Sequence, residues 1–378
     1  MRKALIFGAN LGSSGLIRFL QREGYHCTAL GHDGNQMGAL VADTFYRIDY
    51  NDPNSIPTSI RRISFDAIVP GAHDLCYKAY CAFVDCESGP VMAPTSSGLL
   101  HQFEALHNKG KFRARLLSIC PSRCPRFHIV NGRLTAVEED LFPALFKPNH
   151  AGGGRGIIRM ENVSSFLEFQ KTTPVLNGVL EKIVNGVDIS ISMWMEGGKL
   201  ATWYADREFS QLRAFMITGS LSNNKFLRHI EELGVLSELS EVLVKLGCSE
   251  GFTHCQIRLC APGEWILVEI TRRLPGDLYP LVPEYFGGMP YTKNYVESFV
   301  GIRPVRYKGF QFRKEGDFGR SLVNDRISPL ERFVTLATFR SHRNCVNESY
   351  ELSLLCSDSA SDLFSSEIKI LGDSDGYN

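Results

Sequence analysis

The sequence predicts a mixed α/β and α+β protein, with a doubly wound parallel sheet at its N-terminal end and antiparallel strands after it. Short buried-strand patterns alternate with helical patterns over about the first hundred residues. Longer strand patterns, several of them paired as hairpins, dominate between residues 128 and 273. At 378 residues the chain exceeds one ordinary hydrophobic core, so we expect two or three packed units.

The N-terminal segment begins with "KALIFG", a buried-strand pattern that turns at "GANLGSSG" into "LIRFLQREG". In the last of these, Leu16, Phe19 and Leu20 have the spacing of one helix face. "HCTALGHD" and "FDAIVPG" supply a second and a third strand. Because strands that alternate with helices form parallel sheets, this order predicts the doubly wound sheet.

The first strand-to-helix turn is rich in glycine. Gly8, Gly12 and Gly15 are spaced G-x-x-x-G-x-x-G, whereas the dinucleotide fingerprint is G-x-G-x-x-G. One interpretation is a phosphate or carboxylate site at the N-terminus of the helix. The other is a tight strand-to-helix connection, which the departure from the fingerprint favours.

The middle of the chain begins with a basic helix in "HNKGKFRARLLSIC", which Pro121 stops. Strand patterns follow, and "DISISMWM" and "LATWYA" form a predicted hairpin around "EGG". The segment "EELGVLSELSEVLVKLG" is predicted to be an amphipathic helix because leucine recurs at helical spacing. These leucines are Leu233, Leu236, Leu239, Leu243 and Leu246.

A second predicted hairpin joins "FTHCQIRL" to "WILVEITRRL" through "CAPGE". Glu269, Thr271 and Arg273 alternate with aliphatic residues on the second strand, and Gln256 belongs to the polar stripe of the first. Enclosed polar groups are costly unless partners or ions satisfy them. Glu269 and Gln256 carry oxygen ligands that suit a hard cation, and Arg273 can hold a phosphate or carboxylate in a fork.

Composition limits the classes of partner. Forty-one basic and forty-one acidic side chains leave no net charge, which argues against a general nucleic-acid or membrane-surface binder. No apolar run reaches the length of a membrane helix, and the glycine turn comes too early for a signal peptide. Eleven cysteines without a C-x-x-C pair predict scattered reduced thiols. We therefore expect a cytoplasmic protein.

A glycine loop follows a strand in "FKPNHAGGGRGI". Glycine-rich loops often hold phosphate because backbone N–H groups can converge on the anion. A P-loop carries its lysine after the glycines, but here Lys147 comes first. Lys111 precedes it on the basic helix, and Glu181 and Lys182 end the later strand "GVLEKIV". Cationic groups, an acidic strand and cation ligands thus follow one another along the chain.

The order of these segments along the chain, over roughly residues 1 to 305, resembles that of the ATP-grasp superfamily. The resemblance rests on a Rossmann-like preceding domain followed by "GKFRARLL", "FPALFKPNHAGGGRGI", "VLEKIVNGVDISISMW" and "THCQIRLCAPGEWILVEITRRLPGD". It implies a Rossmann-like domain over residues 1–105 and a two-lobed ATP-grasp domain over residues 106–305, with a lid subdomain at about 121–184. Residues 306–378 would be a small C-terminal extension of unclear role, in which "KGFQFRKEG" and "ERFVTLATFRS" have strand patterns.

The resemblance also implies contacts with ATP. The lysines and the glycine loop would contact or cover the phosphates, the backbone of Ile183 or Val184 would meet the adenine edge, and Asp188 would reach the ribose. The implied nucleotide-binding residues are Lys111, Lys147, Gly153, Gly154, Arg155, Gly156, Glu181, Lys182, Val184 and Asp188.

Gln256, Glu269 and Thr271 fall where the family places its magnesium ligands. The sequence departs from the family pattern twice, because Gln256 replaces the usual glutamate and Thr271 replaces the asparagine of E-I-N-x-R. Magnesium would then have one protein carboxylate and would rely more on ATP oxygens and water. We expect weaker binding of a second ion.

The implied reaction is carboxylate–amine ligation, in which ATP phosphorylates a carboxylate and an amine attacks the acyl phosphate. Lys147 and Arg273 are the implied catalytic residues, because positive charge must surround the transferring phosphoryl group. Small-molecule carboxylates and amines, amino acids among them, are the expected partners, and a homodimer is expected. Candidate substrate contacts are Arg207, Arg213, Asn224, Lys225 and Arg272.

Two alternatives stay open. Related folds activate bicarbonate or phosphorylate other acceptors, so a carboxylase or phosphotransferase is one of them. The other is a regulatory relative that binds the nucleotide without turnover, because Gln256 and Thr271 weaken the expected metal site.

Overall fold

The computed structural model describes residues 1–52, 55–86, 99–134, 136–173, 176–209, 217, 219–276 and 279–300, together with the backbone of strands at 317–324, 333–343 and 346–357. The predicted strand "KGFQFRKEG" and the candidate contact Arg213 lie outside these residues. Among the described helices none has the length and apolar character needed to cross a membrane.

The N-terminal region is a parallel sheet with helices packed on it, as the alternating pattern predicts. Its strands have the order β3-β2-β1-β4, and all three neighbouring pairs are parallel. The elements are β1 (Arg2–Phe7), α1 (Leu11–Arg22), β2 (Tyr25–Gly31), α2 (Met37–Val41), β3 (Thr44–Arg47), α3 (Thr58–Arg61), β4 (Ala67–Pro70), α4 (Asp74–Cys86) and α5 (Leu99–His107).

The glycine turn between β1 and α1 is tightly packed. A Cβ atom on Gly8 would lie 2.9 Å from Ser13 Oγ, and Gly8 has a φ of +134°. A Cβ atom on Gly12 would lie 2.6 Å from the Cβ atom of Ala72, whereas Gly15 has open space around it. Close packing therefore accounts for two of the three glycines, which supports the tight-connection interpretation.

A small antiparallel sheet follows, with the order β5-β8-β6-β7. It has its own buried core, which includes Val130, Phe146, Phe166 and Leu180. The elements of this region are α6 (Lys109–Ile119), β5 (Phe127–Asn131), β6 (Ala144–Pro148), β7 (Ile158–Met160), α7 (Val163–Thr172) and β8 (Asn177–Lys182).

The third sheet has eight antiparallel strands in the order β13-β12-β9-β10-β11-β14-β16-β15. Its strands β14 to β16 come from the region called a C-terminal extension above, and they continue the same sheet. The elements are β9 (Val187–Glu196), β10 (Lys199–Phe209), β11 (Gly219–Ser222), α8 (Asn224–Glu232), α9 (Val235–Lys245), β12 (Gly251–Ala261), β13 (Glu264–Thr271), α10 (Leu281–Tyr285), α11 (Tyr291–Val300), β14 (Asp317–Asn324), β15 (Phe333–Arg343) and β16 (Val346–Ser357).

Both predicted hairpins are present, as β9–β10 and β12–β13. The predicted leucine-rich helix is interrupted, because α8 ends before Gly234 and α9 begins after it. Gly234 has a φ of +71°, a left-handed conformation that glycine adopts without steric cost. The leucine spacing continues through the break, so periodicity alone did not indicate it.

Candidate active site

The base of the glycine loop is held by a buried ion-pair cluster. Lys147 on β6 places its Nζ 2.6 Å from Oε2 of Glu181 on the neighbouring strand β8. Arg113 of α6 donates from Nε to Oε1 of Glu181 at 2.7 Å. Side-chain exposures of 12% for Lys147, 4% for Glu181 and 3% for Arg113 show that the cluster is shielded from solvent.

The pKa values of Glu181 and Lys147 are both shifted in this cluster. Burial alone would raise the pKa of Glu181, but the charges of Arg113 and Lys147 outweigh it and lower that pKa to about 2. For Lys147, burial lowers the pKa, and the attraction of Glu181 opposes the shift. The carboxylate therefore stays ionised near neutral pH and fixes both cations.

Arg113 also connects the two sheets. Its Nη1 and Nη2 donate to the backbone oxygens of Leu267 and Val268 at 3.0 and 2.8 Å. Because Val268 directly precedes Glu269 on β13, Arg113 links the cluster around Lys147 to the strand position next to the candidate metal ligand. The sequence prediction missed Arg113, although a charged residue between the buried Phe112 and Leu116 was a signal.

The glycine loop, residues 149–156, contacts α6 through Lys109 and not through Lys111. Lys109 Nζ donates to the backbone oxygen of Ala151 at 2.7 Å. Lys111 is exposed, and its described hydrogen bond is made by its backbone N–H to Asn108 Oδ1. The two lysines stand two positions apart on a helix, so they point in different directions, which the sequence pattern did not separate.

The loop itself depends on glycine. Gly153, Gly154 and Gly156 have φ values of +64°, +70° and +71°, a region that other residues rarely adopt. Arg155 is exposed, and its Nε donates to the backbone oxygen of Gly152 at 3.1 Å. The tip of the loop therefore carries a guanidinium group that lies across the loop.

The segment after β8 was expected to hold adenine. Ile183 N–H donates to Pro143 O at 2.9 Å, and Val184 O accepts from Arg258 Nη1 at 2.9 Å. Among the described hydrogen bonds this leaves the carbonyl of Ile183 and the N–H of Val184 for a ligand. Lys182 Nζ donates to the backbone oxygen of Asp140 at 2.9 Å.

Asp188, the expected ribose contact, forms a two-pronged ion pair with Arg258. Both N–O distances are 2.8 Å, and both side chains are about one-third exposed. Asp188 could reach a ribose hydroxyl only through an oxygen that it shares with Arg258. The sequence prediction did not include this arginine.

Gln256 and Glu269 face each other in register on β12 and β13, and both are half-buried. Gln256 Nε2 donates to Oε2 of the buried Glu208 at 2.9 Å, which leaves its Oε1 as the group that can ligate a cation. One amide and one carboxylate oxygen fit Mg²⁺, which is often held by one or two carboxylates with substrate phosphates and water. Within the described residues, no three His, Cys, Asp or Glu side chains form a metal site.

Thr271 lies two residues beyond Glu269 on the same face of β13 and is buried. Its Oγ1 accepts from the backbone N–H of Arg273 at 3.4 Å, and its strand partner is His254. The hydroxyl therefore supports the turn that carries Arg273. Thr271 lies on the sheet face of Gln256 and Glu269, and its role as a magnesium ligand stays a prediction.

The two arginines after β13 have different surroundings. Arg273 Nε donates to Asp74 Oδ1 at 2.7 Å, and its Nη1 donates to Leu274 O at 3.1 Å. Arg272 is 4% exposed and binds Gln102 Oε1 at 2.9 Å and the backbone oxygens of Phe252 and Glu250. Arg272 is therefore a structural residue, and its expected contact with substrate is wrong.

Three candidate substrate contacts fall within the described residues. Arg207 lies over the ring of Phe209, with its guanidinium carbon 5.1 Å from the ring centroid. Asn224 is buried at the start of α8, and Lys225 is exposed. The contact between Arg207 and Phe209 does not connect Arg207 to the cluster around Lys147.

Two buried acids, Asp206 and Glu208, flank Arg207 on β10. They lie on the sheet face that carries Gln256, because Gln256 and Asp206 are both in register with Ser190. Asp206 accepts from Tyr279 OH at 2.9 Å. Strand alternation on β10 was a signal for these acids that the sequence prediction did not use.

The chain is similar to known proteins in its structure but not in its sequence. No family model matches the chain, and no curated protein matches it by sequence. The structure of an L-amino acid ligase from Bacillus licheniformis is similar over 98% of each chain, with a TM-score of 0.74 and 14% identity. The structure of an N5-carboxyaminoimidazole ribonucleotide synthetase from Thermus thermophilus is similar over 100% of each chain, with a TM-score of 0.73 and 12% identity.

A third similar structure holds nucleotide and anion together. It is the biotin carboxylase domain dimer of a Hydrogenobacter thermophilus 2-oxoglutarate carboxylase, in complex with MgADP, ADP and bicarbonate. It covers 97% of this chain and 89% of that one, with a TM-score of 0.67 and 17% identity. At these identities the likeness shows a shared fold over the whole chain.

Proposed function

We propose that this chain, which has the ATP-grasp fold, is an ADP-forming ligase that joins a carboxylate to an amine. The observation that carries the proposal is the buried cluster of Lys147, Glu181 and Arg113 at the base of the glycine loop. Arg113 connects this cluster to the strand that bears Glu269. This link supports a site in which candidate phosphate-binding cations lie on the same side as candidate metal ligands, as phosphoryl transfer requires.

In the first step a carboxylate oxygen of the substrate attacks the γ-phosphorus of ATP, and ADP leaves. Lys147 and Lys109 supply positive charge beside the phosphate oxygens, and Arg273 orients the carboxylate through Nη2. A magnesium ion bound to Glu269, Gln256 and the nucleotide would add positive charge beside the transferring group. The glycine loop excludes water from the acyl phosphate.

In the second step the amine attacks the carbonyl carbon, and inorganic phosphate leaves. The amine loses its proton as the C–N bond forms, and the product is an amide or a peptide-like bond. One of the similar structures is that of an L-amino acid ligase, so amino acids are the first substrates to test. The homodimer and the cytoplasmic location stay predictions.

Release of ADP, screened over pairs of amino acids and other carboxylates and amines, tests this function. At least one pair should release ADP well above the ATP-only rate, and mass spectrometry should find the condensed product. Lys147→Ala should lose about 100-fold or more of that rate, as removal of one transition-state donor typically does. Equal ADP release by Lys147→Ala would contradict the assignment of the phosphate site.

The screen also separates the alternatives. Bicarbonate belongs in it because the similar carboxylase structure contains that anion. ADP release with bicarbonate and an acceptor, without an amide product, would indicate a carboxylase. ATP binding without ADP release from any pair would indicate the regulatory relative.

A further inference from the structure

Asp74, the first residue of α4, connects the N-terminal domain to the arginine of the candidate anion site. Its Oδ1 accepts from Arg273 Nε at 2.7 Å, across 199 positions of sequence. Arg273 Nη1 donates to Leu274 O, so Nη2 is the guanidinium nitrogen that has no acceptor among the described residues. Asp74 therefore determines which edge of the guanidinium is available to an incoming anion.

The other oxygen of Asp74 contacts the glycine loop. A Cβ atom built on Gly152 would lie 2.7 Å from Asp74 Oδ2, closer than Cβ atoms are found to other atoms. Only glycine allows the loop to lie this close to the carboxylate. Lys109 binds the preceding carbonyl, that of Ala151, and so holds the loop beside Asp74.

His107 packs on a third side of Asp74. Its Nδ1 lies 3.6 Å from Oδ1, and its ring stacks on Phe103 with centroids 4.2 Å apart. His107 Nε2 is buried without a hydrogen-bond partner among the described residues. Burial lowers the pKa of His107, so a neutral ring shields the carboxylate from water.

Asp74 also stays ionised. Burial would raise its pKa, but the charge of Arg273 and the hydrogen bond that Arg273 donates outweigh burial and hold the pKa below the usual range. A single carboxylate thus has one oxygen on Arg273 and the other against the loop. A shift of the loop relative to α4 changes the surroundings of the same group that orients Arg273.

We propose that Asp74 is a positioning residue that couples the position of the glycine loop to the anion-binding edge of Arg273. The inference rests on the proposed function and adds to it a route by which nucleotide binding prepares the anion site. When the loop lies against Oδ2, the carboxylate is fixed and Arg273 presents Nη2. When the loop leaves, the carboxylate gains freedom, and Arg273 is no longer held to one orientation.

Calorimetry with MgADP and inorganic phosphate, the two products of the proposed first and second steps, tests the coupling. In the wild type, MgADP should tighten phosphate binding by at least about fivefold, a typical allosteric coupling. In Asp74→Asn each ligand should still bind alone, but the ratio should fall close to one. Arg273→Met should bind phosphate weakly with and without MgADP.

Trypsin provides a second readout on the loop itself. Arg155 is exposed, and cleavage after it reports whether the loop is accessible. Asp74→Asn should be cut there several-fold faster than the wild type, and Arg155→Gln identifies the fragment. Asp66→Asn is the matched control, because exposed Asp66 accepts from the backbone N–H of Lys3 in the same domain. Its coupling and its cleavage rate should equal those of the wild type.

The outcomes separate the two proposals. A folded wild type that does not bind MgADP contradicts the proposed function. MgADP binding with wild-type coupling and wild-type cleavage in Asp74→Asn contradicts the role of Asp74 alone. If Asp74→Asn does not fold, Gly152→Ala replaces it, because its methyl group must displace the loop from Oδ2. Unchanged coupling in that variant overturns the inference equally.

Discussion

At the residue scale, the site depends on a few buried charges whose partners are far apart in the sequence. Glu181 meets both Lys147 and Arg113, and Asp74 meets Arg273. A buried ion pair adds little net stability, but loss of one partner leaves an uncompensated charge. Sequence reasoning found Lys147 and Glu181 through the motif, whereas Arg113 and Asp74 required knowledge of which elements pack together.

Replacement of Arg113 by methionine should lower the free energy of unfolding by about 3 kcal/mol or more, because Glu181 loses one buried partner. Urea denaturation followed by circular dichroism measures this change. Lys111→Met, on the exposed side of the same helix, should stay within about 0.5 kcal/mol of the wild type. Equal losses in both variants would show that Arg113 is not part of a buried cluster.

The pH dependence of stability should carry the signature of Glu181. Its pKa falls from an ordinary value of 4.5 to about 2 in the folded protein, so its contribution is complete above pH 4.5. That contribution is lost as the pH falls from 4.5 towards 2. Between these values Glu181→Gln should lose less stability than the wild type does. Parallel curves for the two proteins would contradict the assigned shift.

At the scale of elements, the alternation of the β12–β13 hairpin predicted which residues share a face, and the observed register pairs Gln256 with Glu269. A period of two is unambiguous once the strand is recognised. The pattern could not show that Glu208 of β10 reaches Gln256, because strand order in the sheet does not follow chain order. The pattern named Lys111 and could not show that Lys109 contacts the glycine loop, because that contact depends on helix packing.

Replacement of Gln256 by glutamate should place two carboxylates side by side, because Glu208 now accepts from the amide at 2.9 Å. Without magnesium the variant should be less stable than the wild type, through like-charge repulsion. Added Mg²⁺ should raise its melting temperature more than that of the wild type. Gln256→Met, which has neither charge nor oxygen, should show a smaller Mg²⁺ effect than both. An equal Mg²⁺ shift in Gln256→Glu and wild type would contradict the ligand assignment.

At the scale of the whole molecule, the described residues form two cores of unequal size. One buried cluster runs from the parallel sheet to the eight-stranded sheet, and a separate small one lies inside β5 to β8. The sequence predicted a parallel sheet followed by antiparallel strands, but the patterning after residue 305 was too weak to show that β14 to β16 extend the large sheet. Long-range strand pairing leaves no local signal to detect.

The separate small core predicts that the β5–β8 region opens before the rest of the protein unfolds. A small core buries less apolar surface, so its amide hydrogens should exchange with solvent sooner than those of β9 and β12. Hydrogen exchange with mass spectrometry resolves the two regions. Bound MgADP should slow exchange in β5 to β8 more than in β9 and β12, since Lys147 and the predicted adenine contacts Glu181 and Lys182 belong to this region.

Two buried phenylalanines allow a matched test of whether the cores unfold separately. Phe166 lies in the small core and Phe252 in the large one. Phe252→Ala should lower the global free energy of unfolding by about 3–5 kcal/mol, the usual cost of such a cavity. Phe166→Ala should accelerate exchange in β5 to β8 and leave the protection of β9 and β12 almost unchanged. If Phe166→Ala reduced protection equally in both regions, the two cores would be one cooperative unit. The glycine loop could then not move independently of the large sheet, and loop closure as a local event would be wrong.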